Sequence, residues 1–311
     1  MEKMIKNGPI LASILFFMMI QVNLFVMPVW AQTDEETVAT YKFEHAQMHE
    51  SIEELNKRVE QQSKIFLGTT YQLGPLGEGK AGKFDQDPLY DLHVMDCLTF
   101  VEHVMAFSMD SNFENALNKT LQQIRYKDGV ISFVTRNHFT SIEWIPANTT
   151  AGYISDITQE VAGKGKWKIA AKWIDRKAWY ESRTLDDIER NDLKDMPEEQ
   201  KQKLVAEFQS LGKDFEKVQT QLPYIPVKYI PKVQQNIPSG TMVCIVRENV
   251  PDKAVIISHV GLIIQSKGKT MLRHAKWKKT VQDEELSKYL KSYKKSKWKI
   301  AGINLLRIQK P

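Results

Sequence analysis

Cysteine is scarce in this 311-residue chain, which contains only Cys97 and Cys244. Small secreted proteins held together by disulfides contain more cysteines, and two cysteines complete a zinc site only when histidines supply further ligands. The sequence therefore excludes a disulfide-rich scaffold, while a single bridge between the two cysteines stays open. Cys244 lies in the apolar run Thr241–Val246, which is typical of a buried strand, so we interpret it as a core residue.

The chain also has no strong excess of positive or negative charge: its formal net charge is only +5. Much of this excess lies near the C terminus, where lysines alternate with Trp277 and Trp298. These lysines are Lys276, Lys278, Lys279, Lys288, Lys291, Lys294, Lys295, Lys297 and Lys299. The pattern suits nucleic acid or anionic envelope polymers, but it is more typical of a solvated helix face. We predict no nucleic-acid partner.

The N terminus has the composition of an export signal. Lys3 and Lys6 precede an apolar run from Ile10 to Met27, and a small residue, Ala31, follows at a position that suits cleavage. We predict a signal peptide over residues 1–31 and an exported protein, periplasmic or secreted, with no stable membrane insertion after cleavage. Because the run approaches membrane-spanning length, an uncleaved anchor is the alternative.

The remaining residues, 32–311, are interpreted as a single α+β domain, with helices first and strands later. Helical periodicity predicts helices near residues 43–67, from Cys97 onward and over 113–125. Residues 164–221 are charged and are interpreted as a helical insertion, which covers the core or forms one wall of a cleft. Short apolar segments predict an antiparallel sheet: Met242–Val246, Val255–Ile264, Thr270–His274 and Ile300–Ile308.

Cys97 is predicted to lie in the first turn of a mostly buried helix. Asp96 is a good N-cap residue, and apolar residues recur at helical spacing after it. Free N–H groups and the positive end of the helix dipole favour a thiolate there, so Cys97 is a candidate nucleophile. The alternative is a structural cysteine in the core.

A nucleophilic cysteine needs a histidine and a third polar group that orients the imidazole. His259 lies in an otherwise apolar strand, and His274 ends the next strand. A four-residue loop, Gln265–Gly268, would place the histidines opposite each other, and a two-residue loop, Lys267-Gly268, would keep them on one face. The order of cysteine, histidine and third group is that of papain-like enzymes. The alternative is a purely structural histidine pair.

Several motifs resemble NlpC-type papain-like cell-wall hydrolases, and more specifically their N-acetylmuramoyl-L-alanine amidase-like branch. They are Asp96–Glu102, Ser258–Gly261, His274-Ala275, Gly68–Tyr71, Ile124–Gly129 and Arg136–Phe139. The resemblance covers residues 65–307 and implies a papain-like fold, in which the nucleophile helix packs on an antiparallel sheet. Lys276 replaces the small residue that the family has after the His-Ala pair.

The resemblance also implies the roles of individual residues. Cys97 is the nucleophile, His259 the general base and His274 the orienting residue, and Tyr71 lies near the oxyanion site. Arg136 and His138 are candidate substrate-binding residues. Considered without the resemblance, His138 could also be a general base, a metal ligand or a hydrogen-bonded structural residue. No metal or cofactor is expected.

The predicted activity is hydrolysis of the amide bond between the N-acetylmuramoyl group and L-alanine, in peptidoglycan or muropeptides. One alternative is cleavage between D-glutamate and the diamino acid of the stem peptide. Another is a catalytically silent protein that binds envelope glycan. The chain has no recognisable wall-binding repeat, which favours small soluble fragments as substrate, and we expect a monomer.

Overall fold

The core of the fold is an antiparallel sheet with helices on both faces. The computed structural model describes residues 51–311, which belong to one compact unit. The predicted signal peptide and the first part of the predicted helix over residues 43–67 lie outside the described residues. Within residues 51–311, no helix is long and apolar enough to cross a membrane.

The α-helices, in chain order, are α1 Ile52–Ile65, α2 Cys97–Met109, α3 Phe113–Asn115, α4 Leu121–Arg125, α5 Ile145–Thr150, α6 Thr158–Ala162, α7 Arg176–Glu181, α8 Glu198–Ser210, α9 Ile230–Val233 and α10 Leu286–Ser292. The strands are β1 Thr70–Tyr71, β2 Val94–Met95, β3 Ile154–Asp156, β4 Lys168–Ile174, β5 Val218–Pro226, β6 Met242–Arg247, β7 Ile257–Ser266, β8 Lys269–Ala275, β9 Val281–Glu285 and β10 Ile300–Ile308.

The large sheet has the strand order β4-β5-β10-β6-β7-β8-β9, with β3 also paired to β10. Every pairing in it is antiparallel. An α+β fold with an antiparallel sheet is therefore confirmed. Its four most apolar strands, β6, β7, β8 and β10, lie close to their predicted positions because their burial is nearly continuous.

Helix α2 packs against β7 and is apolar on almost every side. Phe100, Val104 and Phe107 have no exposed surface. Phe66 follows α1 and stacks on Phe107 with ring centroids 5.7 Å apart, so α1 covers the outer side of α2. Burying one such aromatic side chain contributes about 1.5–3 kcal/mol, which fixes the position of the start of α2 relative to β7.

The segment from 164 to 221 differs from the predicted helical insertion. It begins with strand β4 and ends within strand β5, which pair along their whole length, and only α7 and α8 between them are α-helical. The pattern of β4 misleads because Trp173 and Ile169 face solvent while Lys172 is buried. The Lys172 ammonium is bound by the Asn249 side chain at 3.0 Å and the Val250 carbonyl at 2.9 Å, which offsets the cost of its burial.

Helices α7 and α8 enclose a small separate core that includes Tyr180 and Phe208. Phe84, from the loop before α2, stacks on Phe208 with centroids 4.8 Å apart. Phe133 packs edge-on against the same ring at 4.6 Å. The insertion is thereby joined to two loops that border the candidate site.

Candidate active site

The Cys97 side chain lies at the start of α2, as the N-cap pattern predicts. The Asp96 carboxylate accepts hydrogen bonds from the backbone N–H groups of Leu98 at 2.9 Å and Thr99 at 2.8 Å. The Thr99 hydroxyl accepts in return from the Asp96 N–H at 2.9 Å, which completes a capping box. This cap holds the first turn, and with it the thiol, in a fixed orientation.

Cys97 is partly buried as a residue, and the helix that it begins, α2, packs against β7. The backbone N–H groups of Val260, Cys97 and Leu98 act to lower the pKa of the thiol, and Val260 is the residue that follows His259. Cys97 and Cys244 are both free thiols, so the bridge that the sequence left open is not formed. Cys244 is fully buried in β6, as predicted.

The electrostatics of the thiol differ from the expectation of a lowered pKa. Burial and the neighbouring Asp96 carboxylate raise the pKa of Cys97 to about 12, although the three N–H groups act in the opposite direction. The helix start therefore supplies stabilising donors, but removing the thiolate from water costs more. At neutral pH the resting side chain is a thiol.

His259 and His274 form a directly bonded pair. Their Nε2 and Nδ1 atoms are 2.6 Å apart, and the two rings are nearly perpendicular. The connecting turn is the two-residue alternative, because Ser266 pairs with Lys269 and leaves Lys267 and Gly268 in the loop. Both turn residues have positive φ, as a tight hairpin requires.

Close approach of the two strands depends on a glycine between the histidines. A Cβ atom at Gly261 would lie 2.7 Å from the Arg273 carbonyl oxygen and 3.0 Å from the His274 Cβ. Any larger residue would therefore displace β8. Glycine at this position allows His274 to reach the ring of His259.

A third polar residue, Glu284, lies next to His274 and was not predicted from the sequence. The Nε2 atom of His274 is 3.7 Å from the Glu284 carboxylate, which also binds the Lys276 ammonium at 2.6 Å. Glu284 lies on β9, a strand that was not predicted because only its first residue is strongly apolar. A proton on His274 Nε2 would face this carboxylate and leave Nδ1 free to accept from His259.

Both imidazoles are neutral at physiological pH. Burial, and then the electrostatic effects of His274 and Arg247, lower the pKa of His259 to about 3. Burial lowers the pKa of His274 to about 4, although Glu284 acts in the opposite direction. Tyr289, on α10, stacks against the His259 ring with centroids 5.9 Å apart and contributes to this enclosure.

Tyr71 lies beside the start of α2. Strand β1 pairs in parallel with β2, and Tyr71 is opposite Met95, two residues before Cys97. Burial, and then the electrostatic effects of Cys97 and Asp96, raise the pKa of the Tyr71 phenol. Tyr71 therefore remains a protonated hydrogen-bond donor.

Arg136 and His138 line one cavity, of about 250 Å³, which reaches Asp96 and Leu98 at the start of α2. Arg136 is already committed, because it binds the carboxylates of Glu78 and Asp85, the latter at 2.7 Å. It supports the cavity wall. Among the described residues, every nitrogen of its guanidinium group has a hydrogen-bond partner.

His138 faces the same cavity as a neutral acceptor. Its Nε2 lies 2.7 Å from the Phe133 carbonyl, which accepts only, so the proton is on Nε2 and Nδ1 is bare. Burial, and then Arg136, lower the pKa of His138 to about 3. The neutral ring can accept a hydrogen bond from an N–H or O–H group and has no charge with which to bind an anion.

The cavity floor contains a buried network that the sequence analysis missed. Glu102 of α2 binds the Arg125 guanidinium and the Trp144 indole N–H, each at 2.8 Å. No sequence signal connects these residues, because they lie 23 and 42 positions from Glu102. Within residues 51–311, no group of three or more His, Cys, Asp and Glu side chains is placed to hold a metal ion.

Comparison with known families gives a match over residues 61–298 to the AmiA-like family, described as N-acetylmuramoyl-L-alanine amidase-like. That match spans most of the chain and includes Cys97 and both histidines. The chain belongs to the N-acetylmuramoyl-L-alanine amidase-like family. A comparison with curated proteins finds no match.

Two solved structures share the fold of this chain. A protein of the DUF1460 family from Legionella pneumophila has 30% identity and a TM-score of 0.76, over 83% of this chain and 90% of its own. An N-acetylmuramoyl-L-alanine amidase from Bacteroides uniformis has 22% identity and a TM-score of 0.59, over 82% and 99% of the respective chains. The latter likeness supports the fold alone.

Proposed function

We propose that this amidase-like protein is an exported cysteine hydrolase of the NlpC-type papain-like class. Its substrate is the amide bond between the N-acetylmuramoyl lactyl group and L-alanine, in peptidoglycan or its fragments. The observation that carries the proposal is the juxtaposition at β7. Helix α2, which begins at Cys97, packs against β7, and His259 of that strand is bonded to His274 at 2.6 Å.

The first half of the reaction is acylation of Cys97. The sulfur attacks the lactyl carbonyl carbon while the thiol proton passes to His259, whose Nδ1 is the ring nitrogen not engaged with His274. Because the thiol and the imidazole are both neutral at rest, proton transfer accompanies the attack. His274 accepts from His259 Nε2–H and stabilises the imidazolium that forms.

Collapse of the tetrahedral intermediate breaks the C–N bond. His259 returns the proton to the leaving nitrogen, which departs as the amine of L-alanine. A water then attacks the muramoyl thioester, with the same imidazole taking its proton, and releases the lactyl carboxylate and the free thiol. The Cys97 backbone N–H at the helix start and the Tyr71 hydroxyl are the proposed donors to the oxyanion.

The peptide side of the substrate is assigned to the cavity at Asp96 and Leu98. Its charged floor and the bare Nδ1 of His138 suit a stem peptide, whose backbone N–H groups are donors. A monomeric enzyme cleaved after residue 31 and acting outside the cytoplasm is part of the same proposal.

The test is digestion of a muramyl tetrapeptide by the mature protein, followed by mass analysis. The expected products are N-acetylmuramic acid and the intact tetrapeptide. A muramyl dipeptide product would instead assign the cut to the bond between D-glutamate and the diamino acid. Binding without turnover would indicate a silent glycan-binding protein. Identical products from Cys97→Ala would overturn the mechanism.

A further inference from the structure

The hairpin between β8 and β9 places a large aromatic side chain at the edge of the candidate site. Its turn is closed by two hydrogen bonds: the Lys276 N–H donates to the Thr280 carbonyl at 3.0 Å, and the Lys279 N–H donates to the Lys276 carbonyl at 2.9 Å. Trp277 lies within this turn and is 54% exposed. The indole is therefore accessible to a ligand.

The turn is fixed to the segment that carries Tyr71. The Tyr71 N–H donates to the Lys279 carbonyl at 2.8 Å, and the Val281 N–H donates to the Thr69 carbonyl at 2.8 Å. The indole of Trp277 packs against the Tyr71 ring with centroids 5.2 Å apart. Trp277 is therefore held in place by backbone bonds and a ring contact.

This aromatic pair is connected to the catalytic groups from two directions. Tyr71 lies opposite Met95, two residues before Cys97, in the β1–β2 pair. His274, three residues before Trp277, enters the same hairpin through β8. A substrate bound at Cys97 thus has aromatic rings on one side and, on another, the polar cavity lined by Arg136 and His138.

The two sides differ in chemistry, as do the two halves of a muramyl peptide. The cavity is lined by charged side chains, whereas Trp277 and Tyr71 present aromatic faces. The Lys278 ammonium lies 5.8 Å from the centroid of the indole ring. Lys278 is exposed, so it can move aside. The C–H face of a pyranose ring is apolar and uncharged, and stacks on an aromatic ring.

We propose that Trp277, supported by Tyr71, forms a saccharide subsite that binds the sugar ring on the acyl side of the scissile amide bond. This inference rests on the proposed function for the identity of the sugar. It assigns the glycan half of the substrate to the hairpin and the peptide half to the cavity.

The test compares two substrates, N-acetylmuramoyl-L-Ala-D-isoGln and its sugar-free analogue (R)-lactoyl-L-Ala-D-isoGln. Trp277→Ala is expected to raise KM about tenfold for the first substrate, with kcat within about twofold, and to leave both constants unchanged for the second. Trp277→Phe should restore most of the loss, because it retains an aromatic face. An equal effect on both substrates, or none on either, would overturn the subsite.

Trp173→Ala is the matched control. Trp173 is 62% exposed, and it lies on β4, at the opposite end of the sheet from β9. Its loss should change neither KM. A Trp173 variant with the same tenfold effect would show that the loss of any exposed tryptophan suffices.

Binding separates this inference from the proposed reaction. With Cys97→Ala as background, calorimetric titration with N-acetylmuramoyl-L-Ala-D-isoGln should show affinity about tenfold weaker when Trp277→Ala is added. If wild-type protein cleaves neither substrate but this difference persists, the saccharide subsite stands and the amidase reaction fails. If wild-type protein cleaves the muramyl bond but Trp277→Ala binds unchanged, the subsite fails alone.

Discussion

Asp96 has two opposing effects on the side chain that follows it. One carboxylate oxygen caps α2 by accepting from the N–H groups of Leu98 and Thr99, and the other accepts from the Gly74 N–H at 3.2 Å. The same negative charge contributes to the raised pKa of Cys97. The cap that orients the thiol thus also keeps it protonated.

These effects are separable by substitution. Asp96→Asn retains an oxygen that can cap the helix and removes the charge, so the pKa of Cys97 should fall and alkylation by iodoacetamide at pH 8 should become severalfold faster than in wild type. Asp96→Ala also removes the charge but loses the cap, at a cost of about 1 kcal/mol in the free energy of unfolding. An Asn variant that reacts no faster would show that burial alone sets this pKa.

In wild type, the alkylation rate should keep rising above pH 8, because the thiol pKa is about 12. The measurement is the pH profile of iodoacetamide modification, with Cys97→Ala as the control for Cys244, which is fully buried. A rate that is already level at pH 7 would show that a preformed thiolate exists and would contradict this account.

The hairpin of β7 and β8 is the element that determines the geometry of the histidine pair. Gly261 permits the close strand approach beside His274, whereas Gly268 serves only the turn, with φ of +74° and no atom within 4 Å of an added Cβ. The two glycines therefore test different properties of one hairpin.

Gly261→Ala should separate the strands at His274 and lower kcat by at least tenfold, with a loss of roughly 1–3 kcal/mol in unfolding free energy. Gly268→Ala should cost about 1 kcal/mol through backbone strain, with kcat within twofold of wild type. Urea denaturation and turnover of the muramyl substrate measure both quantities. Equal losses of kcat in the two variants would refute a specific role for the strand spacing.

For these strands, the sequence predicts the features that follow from the local hydrophobic pattern. It does not predict those that depend on hydrogen-bond partners distant in the chain. The apolar run around His259, together with an even-length loop ending at Gly268, predicts both imidazoles on one face, and the observed two-residue loop satisfies that condition. The prediction of helix at β4 is wrong, because the inward-facing Lys172 is bound by acceptors on Asn249 and Val250 that are remote in sequence. Local pattern carries no information about such distant compensation.

On the scale of the whole described molecule, residues 51–311, burial keeps four imidazoles neutral. The pKa values of His103 and His274 fall to about 4, and those of His138 and His259 to about 3, with burial the largest cause for each. An unfolded histidine titrates near 6.5, so between these values the unfolded chain binds more protons. The stabilising contribution of each neutral ring is complete above pH 6.5 and is lost as the pH falls towards 4.

His103 isolates this effect, because it is buried in α2 and its bare Nε2 has no hydrogen-bond partner in the described part of the chain. Its Nδ1 lies 2.7 Å from the Thr99 carbonyl. His103→Leu should gain about 2 kcal/mol of unfolding free energy relative to wild type on going from pH 8 to pH 5. Urea denaturation at both pH values measures this, and a constant difference between the two proteins would contradict it.

The contacts that loops make at the edge of the site could not be predicted from the sequence. The Arg136 and His138 motif was recognisable, but its setting depends on Phe133 packing into the α7 and α8 core, which no periodicity reveals. Glu284 and Trp277 are brought to the site only by the pairing of β9 with β8. Residues in regular apolar strands were thus predictable, whereas those positioned by long-range packing were not.

Acid quenching of the reaction with a muramyl tetrapeptide, followed by peptide mass analysis, tests the central claim most directly. The account predicts that the peptide containing Cys97 carries an N-acetylmuramoyl group as a thioester, and that this adduct is absent when Cys97 is replaced by alanine. An adduct that also includes L-alanine and D-glutamate, or release of product with Cys97 unmodified at every time point, would contradict it.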